Sequence, residues 1–166
     1  MRRSDREVTD FNEIVEIINK CDCIRLGFSS EPVPYILPLN FGIEVVDKKI
    51  FLYFHSATEG YKTTLIKEGT EVSFECDTSH NLIYVKENGF CTFTFESVMG
   101  RGKLHIISDD NEKIRALDLL MKHHHPSDES VFCKVNGFPV TFNPAALSRT
   151  MVYSLQVSEC SAKRKM

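Results

Sequence analysis

The sequence predicts an α+β fold in which an antiparallel β-barrel carries its helices on the outside. Six or more short strand-like segments are joined mostly by turns, and only a few segments have helical periodicity. At 166 residues the chain is long enough for one buried core, so we predict a single domain over residues 1–166.

The first predicted element is a helix over residues 10–20. Asp10 is a suitable N-cap, and Glu13 lies three residues further on, as in a capping box. Apolar residues recur at three- and four-residue spacing along one face, at Phe11, Ile14, Val15 and Ile18. Two further helices are predicted, over 61–68 before Gly69 and over 111–123 after Asp109 or Asp110.

Alternating apolar residues predict the strands, which we place at 23–28, 35–42 with an extension to 46, 50–55, 71–77, 90–98 with a continuation to 107, 132–135 and 152–157. Turns are expected at 31–34 and 47–49, and a loop at 81–89. The run Gly100-Arg101-Gly102 is expected to break or bulge its strand.

Composition excludes several classes of function. A net charge of −3 does not favour a broad nucleic-acid surface, and the basic tail at 163–165 is expected to be solvated. No apolar run reaches the roughly 20 residues of a membrane helix, and the N-terminus lacks the apolar core of a signal peptide. A cytoplasmic location is the resulting expectation.

Cysteine and histidine positions predict no metal site. The six cysteines are expected to be free thiols in a cytosolic chain, since Cys21-x-Cys23 has no second pair at zinc-site spacing. The run His123-His124-His125 is expected to be an exposed helix end, because consecutive side chains diverge and cannot all face one ion.

The segment Tyr53–Lys62 is the leading candidate site. A strand-like run ends in His55-Ser56, Ala57 and a glycine follow, and Lys62 opens a helical pattern. Unpaired N–H groups, the Ser56 hydroxyl and a lysine charge favour a bound phosphate. The alternative is an ordinary strand-to-helix turn with an exposed lysine.

Two weaker candidates accompany it. Residues Pro38, Leu39, Asn40, Phe41 and Gly42 could present backbone groups to a planar heterocycle, or be a core strand with a bulge. In the run 96–102, which includes Ser97 and Val98, two glycines allow close approach of a ligand or of another backbone. Together the three segments fit a ligand with a phosphate end and a flat end, the shape of flavin mononucleotide (FMN).

Other chemistries lack their signatures. No Gly-x-Ser-x-Gly run and no spaced serine–histidine–acid set is present, which disfavours a hydrolase. No G-x-G-x-x-G follows a strand, so a Rossmann nucleotide site is not supported.

These pieces, in this order, resemble a known family. They are Asp5-Arg6-Glu7-Val8, Pro34-Tyr35, Pro38–Gly42, Leu52–Ala57 with Gly60 and Lys62, Val72–Glu75, Ser97-Val98 with Gly100 and Gly102, and Glu112-Lys113 with Ala116-Leu117 and Leu120-Met121. The sequence resembles the flavin-binding split-barrel proteins related to pyridoxamine 5′-phosphate oxidase, and within them the 5-nitroimidazole-resistance (Nim) group.

The resemblance implies a six-stranded antiparallel split barrel that forms a homodimer, with the flavin in the interface groove. It implies that Pro38, Leu39, Asn40 and Phe41 line the isoalloxazine ring, and that His55, Ser56, Ala57 and Lys62 hold the ring edge, ribityl chain and phosphate. It further implies that Ser97 and Val98 complete the site, from the partner chain, and that His55 has a catalytic redox role.

Two departures from the family qualify this expectation. Tyr61 stands where many members have an arginine before the phosphate lysine, so another basic residue would be needed for an equal grip. The chain has no tryptophan and no C-terminal Arg/Trp motif, which disfavours oxidation of pyridoxamine phosphate itself.

The expected function is therefore a flavin-dependent reductase that passes electrons from FMN, or from FAD, to a small acceptor such as a nitroaromatic. The alternatives are a non-catalytic flavin-binding or storage protein and a haem-binding split barrel, with His55 or the histidine run as ligand.

Overall fold

The computed structural model describes residues 3–124 and 144–166. The predicted strand at 132–135, Cys133 and His125 lie outside these residues. After a 3₁₀ turn at Ser4–Arg6, the strands are β1 (Glu7–Val8), β2 (Ile24–Phe28), β3 (Tyr35–Leu39), β4 (Gly42–Val46), β5 (Lys49–Ala57), β6 (Glu71–Thr78), β7 (Leu82–Val85), β8 (Phe90–Phe93), β9 (Phe95–Ile107) and β10 (Thr150–Lys165). The helices are α1 (Phe11–Lys20), α2 (Lys62–Leu65), α3 (Asp110–His124) and α4 (Pro144–Leu147).

The main sheet is an antiparallel split barrel, as predicted. Its strands run in the order β3-β2-β6-β9-β10-β5-β4, and β1 pairs with the far end of β10. The two strands at the ends of this order, β3 and β4, are consecutive in sequence and are joined only by Asn40-Phe41. If β3 and β4 are counted as one bent strand, this order contains the six strands that were expected. Between the described strands β3 and β5, no hydrogen bonds close the rolled sheet into a complete barrel.

The interior of the barrel is apolar. Its inward-facing side chains form one core with α1, which begins at Asp10 and buries Ile14, Ile17 and Ile18. The Asp10 carboxylate accepts hydrogen bonds from the N–H groups of Asn12 and Glu13, at 2.9 and 3.0 Å. The predicted cap is thus confirmed.

Helix α3 covers the outer face of β4 and β5. The Asp109 carboxylate caps its first turn by accepting from the N–H of Glu112 at 3.0 Å. The helix lies so close to Gly42 that a Cβ there would meet the Leu120 nitrogen at 2.5 Å. Glycine at this position therefore sets the distance between the helix and the sheet.

Three predicted elements differ in the structure. The expected loop at 81–89 is part of a hairpin, β7–β8, which forms a separate two-stranded sheet. Helix α2 is a single turn, because the hydroxyls of Thr63 and Thr64 bond back to the Gly60 and Tyr61 carbonyls at 2.8 Å. Strand β9 runs unbroken through Gly100 and Gly102, and the irregularity lies on β10, between Val157 and Glu159.

The basic tail is not solvated, contrary to the expectation. It forms the last residues of β10, where Arg164 pairs with the buried Glu96 at 2.6 Å. Lys20 approaches the same carboxylate at 3.2 Å, and the Ser79 hydroxyl donates to it at 3.0 Å. Glu96 therefore joins α1, β9 and β10 through one buried charge.

His123 and His124, at the end of α3, are likewise not exposed, contrary to the expectation. The His123 ring packs on Phe41 with centroids 4.3 Å apart, and its Nε2 lies 2.7 Å from the Cys21 carbonyl. In the described part of the chain no group of histidine, cysteine and acidic side chains could hold a metal ion. The described cysteines, Cys21, Cys23, Cys76, Cys91 and Cys160, are free thiols, as predicted.

Candidate functional site

The site is an opening in the barrel between β3 and β5, which we call the split. Strand β5 pairs with β4 only as far as Tyr53, opposite Gly42, although it pairs with β10 as far as Ala57. Among residues 3–124 and 144–166, strand β3 pairs with β2 alone. Both strands therefore present an unpaired edge to the split, and unpaired backbone N–H and C=O groups need partners.

The split has two defined ends. At one end the chain crosses from β3 to β4 at Asn40-Phe41. At the other end, the Tyr35 ring at the start of β3 meets the Tyr61 ring edge-on, with centroids 5.3 Å apart. The predicted site residues between these ends lie on both sides of one opening.

On the β3 side, main-chain groups are available but one predicted side chain is not. Phe41 is fully buried against His123, so its ring cannot line a flavin as expected, and only its backbone remains for that role. The Asn40 amide donates to the Asp22 carbonyl at 2.9 Å, which fixes the crossing. Leu39 packs partly on the core, and Pro38 is exposed.

On the β5 side, polar side chains reach the edge. His55 is exposed, yet desolvation by the surrounding atoms lowers its pKa below the usual value. Ser56 is half-buried and its hydroxyl donates to the Ala57 carbonyl at 3.3 Å. The neutral imidazole therefore dominates at neutral pH. Ser56 points to the opposite face of β5 from His55, because successive strand residues alternate.

Lys62 lies at the end of the split beyond β5. Gly60 takes φ of 102°, and the Lys62 Nζ folds back to donate to the Glu59 carbonyl at 2.9 Å. Since α2 is only one turn long, its dipole adds little, and the lysine charge is the main attraction for an anion.

A second basic side chain lies near this end of the barrel. Lys113 lines a hollow of about 230 Å³ together with Thr58, Thr150 and Val152, and Val152 pairs with His55. Its Nζ is 3.7 Å from Asp110, a loose ion pair. No local sequence pattern predicts this placement, which depends on the packing of α3.

Ser97 and Val98 are not brought to the split. On β10, Val98 pairs with Ala162 and His55 pairs with Val152. These two partners are ten residues apart along the strand, roughly 33 Å if it is extended. Val98 is also fully buried, and only the half-buried Ser97 offers a side chain. One chain alone cannot join these residues to His55 and Lys62.

Tyr153 is a polar residue near the split that the sequence did not single out. Its ring is fully buried beside Phe54, with centroids 5.5 Å apart, and its hydroxyl finds no hydrogen-bond partner within 3–124 and 144–166. Its inward position follows from the alternation of Met151, Tyr153 and Leu155 along β10, the one signal that could have located it.

Comparison with known proteins then decides the family. The family model described as pyridoxamine 5′-phosphate oxidase matches residues 10–164. The chain belongs to this family. No functionally curated protein matches the chain.

Solved structures of similar fold include a Nim-type relative. A candidate 5-nitroimidazole antibiotic resistance protein from Bacteroides thetaiotaomicron VPI-5482 is 28% identical, with a TM-score of 0.75 over 95% of this chain and 86% of that one. This similarity and the family match confirm the predicted Nim-like group of the pyridoxamine 5′-phosphate oxidase-related proteins.

More distant structures show the same fold. The flavocytochrome Anf3 from Azotobacter vinelandii is 19% identical, with a TM-score of 0.79 over 100% of this chain and 72% of that one. The FAD and haem binding protein from Mycobacterium smegmatis is 17% identical, with a TM-score of 0.75 over 96% and 73%. None of the described helices has the length and apolar character needed to cross a membrane.

Proposed function

We propose that this member of the pyridoxamine 5′-phosphate oxidase family binds FMN along the split and acts as a flavin-dependent reductase. The observation that carries the proposal is the pair of strand edges, on β3 and on the end of β5, that have no pairing strand within the described residues, with Lys62 following β5 at the start of α2. Alternating N–H and C=O groups of an open edge suit the hydrogen-bonding rim of a flat heterocycle, and an ammonium suits a phosphate.

The donor set fits the proposed cofactor. The backbone of Pro38–Phe41 and of His55–Ala57 would orient the isoalloxazine ring, and Ser56 would bond the ribityl chain. Lys62 would hold the phosphate, and its ammonium group would give up the hydrogen bond to the Glu59 carbonyl to do so. FAD is the second possibility, since a phosphate held at the open end of the split leaves space for an adenosine group outside.

A bound flavin would supply the electron transfer, and the protein would supply binding and orientation. His55 would act beside it. The lowered pKa keeps the imidazole neutral near pH 7, so it can donate a hydrogen bond to an acceptor as negative charge develops there. We propose a small oxidised acceptor of the nitroaromatic class, on the basis of the similarity to the B. thetaiotaomicron protein. Its reduction to an amine takes six electrons and six protons and releases two water molecules, so an external electron donor would re-reduce the flavin for each of three two-electron turnovers.

We further propose that the active form is a homodimer with the flavin at its interface. His55 pairs with Val152 and Ser97 with Lys163, and the eleven residues between these partners on β10, roughly 36 Å if extended, support this arrangement. In a two-fold dimer, Ser97 of one chain can approach the split of the other, which completes two equivalent sites.

The test begins with the purified protein mixed with FMN or FAD. We expect flavin absorption bands to remain with the protein after gel filtration, anaerobic reduction by dithionite, and reoxidation by a 5-nitroimidazole. Protein that retains neither flavin would overturn the proposal. A haem Soret band would favour the haem alternative, in which His55 is the best-placed ligand because His123 is engaged with Phe41 and Cys21.

The role of His55 has its own test. His55→Ala should keep the flavin but slow reoxidation by the nitro compound by roughly 10²-fold, the lower range for loss of a proton-transfer group. His105→Ala is the matched control, since that exposed histidine lies on β9, away from the split, and pairs with Glu68. If His55→Ala is reoxidised by the nitro compound at the parental rate, the catalytic role of His55 is contradicted. If the parent protein itself retains flavin but shows no turnover, a flavin-storage function is favoured.

A further inference from the structure

Two hydroxyl groups at the end of β5 and β10 form an incomplete hydrogen-bond chain. The Tyr153 hydroxyl is buried and has no partner of acceptable geometry among residues 3–124 and 144–166. Ser56 pairs with Met151 and Tyr153 with Phe54, so the Ser56 and Tyr153 side chains are diagonal neighbours on the same face of the β5–β10 pair. Burial raises the pKa of Tyr153 to about 12, and the nearby Ser56 acts in the opposite direction. The Ser56 hydroxyl meanwhile spends its proton on a weak 3.3 Å bond to the adjacent Ala57 carbonyl.

A buried hydroxyl without a partner is unfavourable, so such a group in a native fold calls for an explanation. Rotation about the Ser56 Cα–Cβ bond supplies one. If the Ser56 proton turned towards the split, its oxygen would be free to accept from Tyr153. Both hydroxyls would then be satisfied, provided that an acceptor occupied the split.

We propose that Tyr153 is a positioning residue for the flavin, and that it acts through Ser56. Tyr153 donates to Ser56, and Ser56 in turn donates to an oxygen of the ribityl-phosphate chain. This inference depends on the proposed flavin binding. Linked hydrogen bonds polarise one another, so the buried hydroxyl strengthens a contact that it does not itself make.

Tyr153→Phe separates this role from a structural one. Removing an unpartnered hydroxyl should leave the melting temperature of the flavin-free protein unchanged or raised, yet weaken FMN binding by roughly three- to tenfold. Tyr84→Phe, on the exposed hairpin, is the matched control and should change neither. A lowered melting temperature of flavin-free Tyr153→Phe would show that the hydroxyl is already paired, and would overturn the inference.

A double-mutant cycle with Ser56→Ala tests the proposed hydrogen-bond chain from Tyr153 through Ser56 to the flavin. In the Ser56→Ala background, Tyr153→Phe should have no further effect on FMN affinity, because the intermediate hydroxyl is gone. Independent, additive losses would overturn the inference. The titration is repeated with riboflavin, which has the ribityl chain but no phosphate. If Ser56 donates to a ribityl oxygen, Tyr153→Phe should still weaken binding of riboflavin. If Ser56 donates to a phosphate oxygen, the variant should bind riboflavin as the parent does.

The two proposals fail differently. If the parent protein retains no FMN, flavin binding itself is wrong. If the parent binds FMN and Tyr153→Phe binds it equally well, only the positioning role is wrong.

Discussion

At the scale of single residues, buried charge is concentrated on Glu96. Its side chain is 3% exposed and accepts hydrogen bonds from Arg164, Lys20 and Ser79. Burial alone would raise the pKa of this carboxyl, but the bonds outweigh that effect and the pKa lies below the usual value. Removing the charge leaves Arg164 without its nearest partner.

Glu96→Gln should therefore lower the free energy of unfolding by about 2 kcal/mol at pH 7. Because the folded pKa of Glu96 is depressed, its contribution is present above the unfolded value near 4.5 and is lost as the pH falls through the folded value. Urea denaturation at pH 7 and pH 4 should show the difference between parent and variant shrinking at pH 4. A constant difference would contradict this role.

His55 provides a second residue-scale prediction. Desolvation lowers its folded pKa below 6.5, so its contribution to stability is present above 6.5 and is lost as the pH falls through the folded value. An NMR titration of the imidazole, assigned by the signal missing in His55→Gln, should give a midpoint below 6.5. A midpoint above that value would mean that a nearby anion, not desolvation, dominates.

At the scale of elements, the position of α3 depends on Gly42. Gly42→Ala would push a methyl group against the Leu119–Leu120 backbone, which cannot rotate away. We expect a loss of about 3 kcal/mol in thermal or chemical denaturation.

Gly27→Ala on β2 is the control for this substitution. The new methyl group would meet only the Ser73 side-chain oxygen, at 2.6 Å, which can turn aside. Its cost should be about 1 kcal/mol or less. Equal losses in the two variants would show that the contact with the helix backbone is unimportant.

Elements with local signals were predictable from the sequence, and those set by distant contacts were not. The cap at Asp10 and the apolar spacing of α1 lie within the helix itself. By contrast, residues 35–46 have one continuous strand pattern, and only the sheet order shows that β3 and β4 pair with different neighbours. The end of β10 pairs with β9 and its Arg164 binds Glu96, a residue far from it in sequence.

The candidate site follows the same division. His55, Ser56, Ala57 and Lys62 form a compact local pattern, with the first three at the end of β5 and Lys62 at the start of α2. Burial of Phe41 depends on His123 from α3, and that of Tyr153 on the roll of the sheet. The contact of Phe41 with His123 has no signature in the neighbouring residues, whereas the alternation of Met151, Tyr153 and Leu155 indicates only that Tyr153 points inward.

At the scale of the whole molecule, the two ends of β10 carry different parts of the proposed site. If Lys62 and the partner's Ser97 serve the same flavin, Lys62→Ala and Ser97→Glu should each lose FMN binding as pure homodimers. Unfolding and refolding an equal mixture should restore about a quarter of the sites, because half of the dimers are mixed and each has one intact site.

Recovery of binding is measured by the flavin retained per chain after gel filtration. If the refolded mixture retains no more flavin per chain than the separate variants do, a site shared between two chains is contradicted. Mixing either variant with itself is the control for the refolding step.

The central place of β10 has a consequence for synthesis. This strand lies between β9 and β5, although it follows every other described element in the sequence. While a ribosome is still making it, the half-sheet β3-β2-β6-β9 and the hairpin β4–β5 have no strand to join them. Both expose an edge to neighbouring nascent chains. We expect the barrel to close only once β10 has emerged from the ribosome and can pair with both β9 and β5.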